Sequence, residues 1–206
     1  MPKRIVINKK KLRALEPTKD PFASLARSII YQQLSGKAAA SIERKFFGLY
    51  HPKALTAKSK RGTLLPTKFP KPADVLATPD EQLRSAGLSR GKVAYLKDLS
   101  AKFLDGTINP KLFPKMSDAE IIEHLTRVKG IGVWTAHMFL IFALNRPDVL
   151  PVGDLAIRKG FMKAFGLRTM PSETKMVALA KEHAGNRTYL SLHLWKLMDD
   201  GNEGEW

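Results

Sequence analysis

Helix-start signals recur along this sequence, and no stretch alternates apolar and polar residues well enough to predict a strand. Asp20-Pro21 is a cap followed by proline at the first helical position, and the run from Ser117 to Glu120 is a capping box. Six residues after the first cap share one helical face: Phe22, Leu25, Ala26, Ile29, Ile30 and Gln33. Counting such caps predicts an all-α protein of about ten helices.

The expected helices are unevenly spread along the chain. Five are predicted over about 38–49, 89–105, 133–144, 172–183 and 187–198, and others begin near residues 20, 78, 118 and 154. Prolines interrupt a lysine-rich stretch at about 50–72, which is expected to form a basic loop, although a plain solvated insertion explains it equally well. The N-terminal arm, about 1–19, is also basic. We treat 1–206 as a single domain.

The charge balance points to a polyanionic partner. The chain has 35 Lys and Arg against 19 Asp and Glu, a formal charge of +16, and nucleic acid is the usual partner of so basic a domain. A solubility bias or a ribosomal-type role would also give this balance. The absence of cysteine excludes disulfides, thiolate zinc sites and cysteine-ligated iron–sulfur clusters.

The apolar runs are short. The N-terminus has no signal-like stretch, and the longest uncharged run, 130–145, is too short to cross a bilayer, so it is interpreted as a buried helix with its leading turn. We therefore expect an intracellular protein with no membrane partner.

A glycine turn, Gly130-Ile131-Gly132, joins two predicted helices in the hairpin 121–144. Glycines allow backbone angles closed to other residues and let another backbone approach closely. The amides at the start of the following helix suit a phosphate. Taken alone, the turn is a weak signal and is more typical of a plain helix–helix connection.

Four segments follow one another along the chain: the turn-containing segment 29–39, the hairpin residues 125–136, the loop Leu150-Pro151-Val152-Gly153-Asp154 and the helix 186–195. Together and in this order they resemble the helix-hairpin-helix-GPD DNA glycosylase superfamily, and within it the alkylpurine branch of the 3-methyladenine DNA glycosylase II type. The resemblance implies an all-α fold in two lobes around a DNA-binding cleft. It also implies base excision repair of double-stranded DNA that contains alkylated bases such as 3-methyladenine or 7-methylguanine.

The same resemblance makes Asp154 the catalytic carboxylate, whereas Gly153-Asp154 taken alone would be an ordinary N-cap. An ionised carboxylate at a helix N-terminus stabilises the positive charge that develops on the deoxyribose as its base departs. It would act electrostatically, as a general base toward water, or both. Bifunctional relatives carry a nucleophilic lysine where this chain has Trp134, so neither a Schiff base nor strand cleavage is expected.

The resemblance also assigns the residues that meet the flipped base. Aromatic faces attract a cationic base, and the expected base pocket consists of Trp134, Trp195, Tyr31 and Met138. Ordinary core packing would explain either tryptophan as well. Base flipping leaves a gap in the stack, and the turn expected to fill it as a wedge is Gln33, Leu34 and Ser35.

Contacts with the DNA backbone are expected around the hairpin, at Gly130, Gly132, Thr135, Lys129 and Arg158. The resemblance further implies a monovalent cation, Na⁺ or K⁺, on the backbone carbonyls of Thr126, Val128 and Ile131. No cofactor is expected to take part in catalysis.

Other functions stay open on the residues alone. A non-enzymatic module that recognises damaged or distorted DNA, a glycosylase for uracil or deaminated bases, and an RNA-binding protein all fit a small basic helical chain. We expect a monomer, located in the nucleus of a eukaryote or in the cytoplasm and nucleoid of a prokaryote.

Overall fold

A computed structural model of the chain describes residues 5, 7, 15–52 and 68–199. Over these ranges the protein has no strand, and ten α-helices are accompanied by 3₁₀ segments at Pro110–Lys115 and Ala180–His183 and a π-helical segment at Phe139–Ala143. The all-α prediction is therefore confirmed. The α-helices are α1 (Pro21–Tyr31), α2 (Gly36–Tyr50), α3 (Pro72–Ala77), α4 (Asp80–Ser85), α5 (Arg90–Leu104), α6 (Asp118–Thr126), α7 (Val133–Met138), α8 (Leu155–Phe165), α9 (Glu173–Leu179) and α10 (Arg187–Asp199).

The chain divides into two units. The described residues between 18 and 136 form the first unit, and those between 137 and 199 form the second together with residues 5, 7 and 15–17. Among the residues described, every helix is too short or too polar to span a lipid bilayer.

The core of the first unit lies where α1 packs against α5. The Asp20 side chain caps α1 by accepting a hydrogen bond from the Ala23 amide at 2.9 Å, and the predicted apolar face is buried: Phe22, Leu25, Ala26, Ile29 and Ile30. On α5, three apolar side chains are buried at helical spacing: Val93, Leu96 and Leu99. Burying such side chains is the main favourable term in forming the unit.

The core of the second unit lies between α8 and α10. Its buried members include Ile157 and Phe161 on α8 and Leu190 and Leu194 on α10, and Ile5 and Ile7 pack against this cluster. Asp154 caps the start of α8 and Gly166, in the left-handed region, ends it. The predicted helix start near residue 154 is confirmed.

Some sequence predictions were wrong in detail. Gln33 does not extend the apolar face of α1, because α1 ends at Tyr31 and Gln33 is exposed in a turn. The expected continuous helix 133–144 changes from α-helix to π-helix at Phe139. It is not wholly buried, since Val133, Trp134 and Phe142 are exposed.

The basic segment at about 50–72 is helical at both margins. Helix α2 runs to Tyr50, and α3 begins at Pro72, a proline at the first helical position that the loop interpretation passed over. Residues 53–67 of that segment, and most of the basic arm 1–19, lie outside the described residues.

Candidate active site

Asp154 is a nearly buried carboxylate, 9% exposed, at the N-terminus of α8. Its Oδ1 accepts a hydrogen bond from the Ile157 amide at 2.8 Å and another from the Trp195 indole Nε1 at 3.2 Å. The helix dipole adds a favourable interaction with negative charge at this position. Asp154 is thus the N-cap of α8, and its catalytic role stays a prediction.

Close packing of two helices brings Trp195 to Asp154. A Cβ built on Gly160 of α8 would lie 2.9 Å from the Leu194 Cβ and 3.1 Å from the Leu194 carbonyl oxygen on α10. Only a residue without a side chain allows this approach. Because Trp195 follows Leu194 directly, the glycine sets the position of the indole relative to the α8 N-terminus.

Phe142 is a further candidate site residue, which the sequence analysis does not include. Its ring stacks on the Trp195 indole, with centroids 5.7 Å apart and planes at 26°. It lies four residues after Met138, which is half-buried at the end of α7. The four-residue spacing of Met138 and Phe142 places them on one helical face, and this was the signal that the sequence offered. It was missed because the uncharged run 130–145 predicts a buried helix. We call Asp154, Trp195 and Phe142 the Asp154 corner.

The other two predicted pocket residues belong to the first unit. Trp134, in the first turn of α7, is 49% exposed, which excludes ordinary core packing as its role. The Tyr31 hydroxyl, at the end of α1, donates a hydrogen bond to Glu43 Oε2 at 2.8 Å. Burial, together with the Glu43 carboxylate, raises the pKa of Tyr31 to about 12, so the phenol stays protonated at neutral pH.

The predicted wedge residues form an exposed turn between α1 and α2, which we call the wedge turn (33–35). Gln33 has φ of 57°, in the left-handed region that disfavours side-chain-bearing residues. Leu34 is 39% exposed, and Ser35 occupies the N-cap position of α2.

Two polar residues beside the wedge turn were not predicted. Lys92 Nζ donates to the carbonyl oxygens of Ile30 at 2.6 Å and Gln32 at 2.7 Å, and burial lowers the pKa of Lys92. The Gln32 side-chain amide donates to the Gly130 carbonyl at 2.8 Å. These contacts join residues 60 to 98 positions apart in the chain, which is why local sequence pattern could not show them.

The hairpin turn (129–132) contains two glycines with different surroundings. Gly130 has φ of 79°, and a Cβ added there would come within 2.5 Å of the Tyr95 ring. At Gly132 an added Cβ would meet no atom of the described residues within 4 Å. Gly130 is thus required by the fold, whereas Gly132 leaves the backbone open to an external group.

Asp98 anchors the hairpin turn to α5. Its Oδ2 accepts a hydrogen bond from the Lys129 amide at 2.8 Å, and the same carboxylate pairs with Lys102. Burial opposes ionisation of Asp98, but the bonds from Lys102 and the Lys129 amide together hold its pKa below the usual value. The Lys129 side chain itself is exposed.

The remaining predicted contacts differ in exposure. Thr135 is only 5% exposed. Arg158, on α8, is half-buried, and among the described residues its Nε has no hydrogen-bond partner. The carbonyls of Thr126, Val128 and Ile131 belong to the end of α6 and the turn after it, and the Val128 oxygen accepts a hydrogen bond from the Ile131 amide at 3.1 Å.

Comparison with known proteins identifies the class. Residues 26–184 match the family described as "HhH-GPD superfamily base excision DNA repair protein". The match covers more than half of the chain, so this protein belongs to the HhH-GPD superfamily.

Individual relatives point to one branch. The chain is 34% identical over 194 residues to DNA-3-methyladenine glycosylase 1 of Schizosaccharomyces pombe, a match that covers 94% of this chain and 78% of that protein. It is 36% identical over 185 residues to DNA-3-methyladenine glycosylase of Saccharomyces cerevisiae, covering 88% of this chain but 58% of the yeast protein. The predicted alkylpurine branch is thereby confirmed.

Solved structures agree with the sequence matches. The S. pombe 3-methyladenine DNA glycosylase in complex with abasic DNA superimposes with a TM-score of 0.73 at 32% identity, over 97% of this chain and 89% of that one. The DNA-3-methyladenine glycosidase of Bacillus halodurans gives a TM-score of 0.74 at 33% identity, over 92% and 80% of the two chains.

Proposed function

We propose that this protein is a monofunctional DNA glycosylase of base excision repair, which hydrolyses the N-glycosidic bond of alkylated purines flipped out of duplex DNA. The observation that carries the proposal is the Asp154 carboxylate, held by the α8 N-terminus and the Trp195 indole N–H. Relatives at 34% and 36% identity bear the name of this activity.

Asp154 stabilises charge in the proposed reaction. As the bond from C1′ to the purine nitrogen breaks, its electron pair leaves with the base and positive charge develops on the sugar. A fixed carboxylate stabilises that charge without reorganising during the reaction. Water then adds its oxygen to C1′ and loses a proton, which gives an abasic site and the free base.

Selection of alkylated bases follows from the aromatic part of the Asp154 corner. Alkylation at a ring nitrogen makes the purine cationic, so it needs little acid assistance to leave. The stacked rings of Trp195 and Phe142 offer electron-rich faces, and such faces attract a cation more than a neutral base. The exposed Trp134 and Tyr31 of the first unit stay candidates for the same role.

The hairpin turn is proposed to bind the DNA backbone. The open face of Gly132 and the exposed Lys129 side chain suit a phosphate. The carbonyl oxygens of Thr126, Val128 and Ile131 fit a Na⁺ or K⁺ ion, because a carbonyl that accepts one hydrogen bond keeps a second lone pair. Such an ion would add positive charge beside the phosphate and takes no part in the chemical step.

The proposed function includes an oligomeric state and a location in the cell. We propose that it works as a monomer on double-stranded DNA and is located with the genome, in the nucleus of a eukaryotic cell or the nucleoid of a prokaryotic one. Binding should weaken steeply as salt is raised, because phosphate contacts release counterions. The slope should be the same for any DNA sequence, since the contacts are to the backbone.

A base-release assay tests the activity. The full chain, in excess, is incubated with matched duplexes that contain 7-methylguanine, 3-methyladenine, uracil or hypoxanthine, and the freed bases are separated by chromatography. We expect release of the two alkylated bases, strands that stay intact until alkali is added, and no covalent adduct after borohydride treatment. Release from none of the duplexes would leave only a DNA-binding module, and preferred release of uracil would indicate a deaminated-base glycosylase.

A further inference from the structure

The wedge turn is held in a conformation that its own sequence does not favour. Gln33 has a left-handed φ of 57°, although it is neither glycine nor asparagine. Leu34, the next residue, is exposed at 39%. A residue with a side chain stays in the left-handed region only where surrounding contacts hold it there, so the contacts around Gln33 must account for its conformation.

Lys92 supplies the first of these contacts. Its ammonium group bonds the carbonyl oxygens of Ile30 and Gln32 at 2.6 and 2.7 Å. These carbonyls belong to the C-terminal end of α1, where the helix cannot satisfy them itself. One side chain of α5 thus fixes the backbone on the N-terminal side of Gln33.

Gln32, the residue directly before the wedge turn, supplies the second contact, which reaches the hairpin turn. Its side-chain amide donates to the Gly130 carbonyl at 2.8 Å, and Gly130 lies against the ring of Tyr95. The amide of Lys129, the preceding residue, bonds Asp98 at 2.8 Å. Lys92, Tyr95 and Asp98 follow one another at three-residue intervals on α5, so a single helix supports both turns.

We propose that Lys92 and Gln32 are positioning residues that hold the wedge turn in register with the hairpin turn. This inference rests on the proposed function, in which the hairpin turn binds phosphate, and on the prediction from the sequence that the wedge turn fills the gap left by the flipped base. A fixed spacing between the two turns means that phosphate binding places Leu34 and its neighbours beside the nucleotide to be extruded. Neither residue touches the reacting atoms, and both act through the turn.

Lys92→Met tests the proposal, with Lys97→Met as the matched control. Both variants remove one positive charge from α5, but the half-buried Lys97 pairs with Asp80, and among the described residues no hydrogen bond or ion pair joins it to either turn. The full chain is mixed with a duplex that carries 7-methylguanine next to 2-aminopurine, whose fluorescence rises when stacking is lost. Single-turnover base release and affinity for undamaged duplex are measured on the same samples.

We expect Lys92→Met to lose most of the fluorescence rise and to release base at least roughly tenfold more slowly, the effect of losing one hydrogen bond to a charged group. Affinity for undamaged duplex should match that of Lys97→Met, because the phosphate contacts are unchanged. A merely structural role would lower affinity and rate together. If Lys92→Met equals Lys97→Met in both rate and fluorescence, the inference is wrong.

Gln32→Ala provides a second test that does not depend on Lys92→Met being folded. Gln32 is half-exposed, and Gln82→Ala, at an exposed glutamine on α4, is its control. We expect Gln32→Ala to reduce the fluorescence rise and the release rate severalfold, and Gln82→Ala to change neither; equality of the two variants would overturn the bridging role. Absence of release by the unmodified protein would instead contradict the proposed function.

Discussion

The Asp154 corner of the second unit and the two turns of the first unit present different kinds of group. The corner presents side chains, a carboxylate and two stacked rings, held by a helix cap and a tertiary hydrogen bond. The turns present mainly backbone, with the exposed side chains of Leu34 and Lys129. Their conformation depends on Gly130 and on contacts from α5, and Gln33 is held in the left-handed region. The comparison teaches that the Asp154 corner depends on which side chains are present, whereas the turns depend on the backbone conformation that distant contacts impose.

Both regions nevertheless depend on a glycine against which a larger residue packs. Gly160 accepts Leu194 in the second unit, and Gly130 accepts the Tyr95 ring in the first. The two differ in backbone, because only Gly130 lies in the left-handed region. A substitution at Gly160 therefore tests helix packing alone, whereas one at Gly130 also tests the conformation of the turn.

The largest effect on stability is expected from Gly130→Ala. The new Cβ overlaps the Tyr95 ring and the left-handed backbone adds strain, so we expect a loss of about 3 kcal/mol in the free energy of unfolding, measured in urea. Gly132→Ala is the control and should change stability by less than about 0.5 kcal/mol while it weakens DNA binding. Equal stability of the two variants would contradict the assignment of the turn.

Gly160→Ala should have the next largest effect. The added methyl group meets a backbone carbonyl, which cannot move without separating α8 from α10. The higher helix propensity of alanine offsets part of the steric destabilisation, so a net loss of about 2 kcal/mol in the free energy of unfolding is expected. The folded fraction should also release base more slowly, because the Trp195 indole would lie farther from Asp154. Unchanged stability together with an unchanged rate would show that the corner does not depend on this packing.

Trp195→Phe should affect the rate and leave the fold nearly unchanged. Phenylalanine keeps a ring against Phe142 but removes the N–H that bonds Asp154 Oδ1. Loss of one hydrogen bond to a charged group corresponds to about a tenfold fall in single-turnover base release. A rate within about twofold of the unmodified protein would show that the indole N–H contributes little.

The smallest effect concerns pH. The side-chain hydrogen bond from Arg187, at the start of α10, holds the pKa of Asp148 below its usual value. A lowered folded-state pKa stabilises the protein above the unfolded-state value of about 3.9, and this contribution is lost as pH falls through the folded-state pKa. Asp148→Asn should thus be less stable than the unmodified protein at pH 7, and the difference should narrow below about pH 4. A constant difference in urea unfolding across that range would contradict the role of the ion pair.

The sequence predicted the fold class and the helix start at Asp154 because both rest on local signals, namely caps and helical spacing. The catalytic role of Asp154 came instead from the resemblance to the superfamily, since Gly153-Asp154 alone indicates only an N-cap. The same local reasoning failed at Gln33, which lies beyond the end of α1, in a turn whose neighbouring carbonyls, of Ile30 and Gln32, accept hydrogen bonds from Lys92, far along the sequence. Phe142 was missed because an uncharged run was taken to be buried throughout.

The glycines likewise have some roles that the local sequence predicts and others that depend on tertiary contacts. The turn 130–132 was predicted from two glycines close together. The sequence did not show that Gly130 faces Tyr95 whereas Gly132 faces open space, because this difference arises from tertiary packing. Gly160 carried no sequence signal, since a single glycine within a helical pattern is most often only a weakly destabilising residue. Contacts between distant segments are what local patterns do not encode.

The most direct test of the account is the single-turnover rate of 7-methylguanine release by Asp154→Asn. Asparagine keeps an oxygen that caps α8 and accepts from Trp195, so the substitution removes the charge and little else. We predict a fall in rate of about a hundredfold or more, with affinity for an abasic duplex retained. A folded Asp154→Asn variant that releases the base as fast as the unmodified protein would contradict the assignment of Asp154 as the catalytic carboxylate.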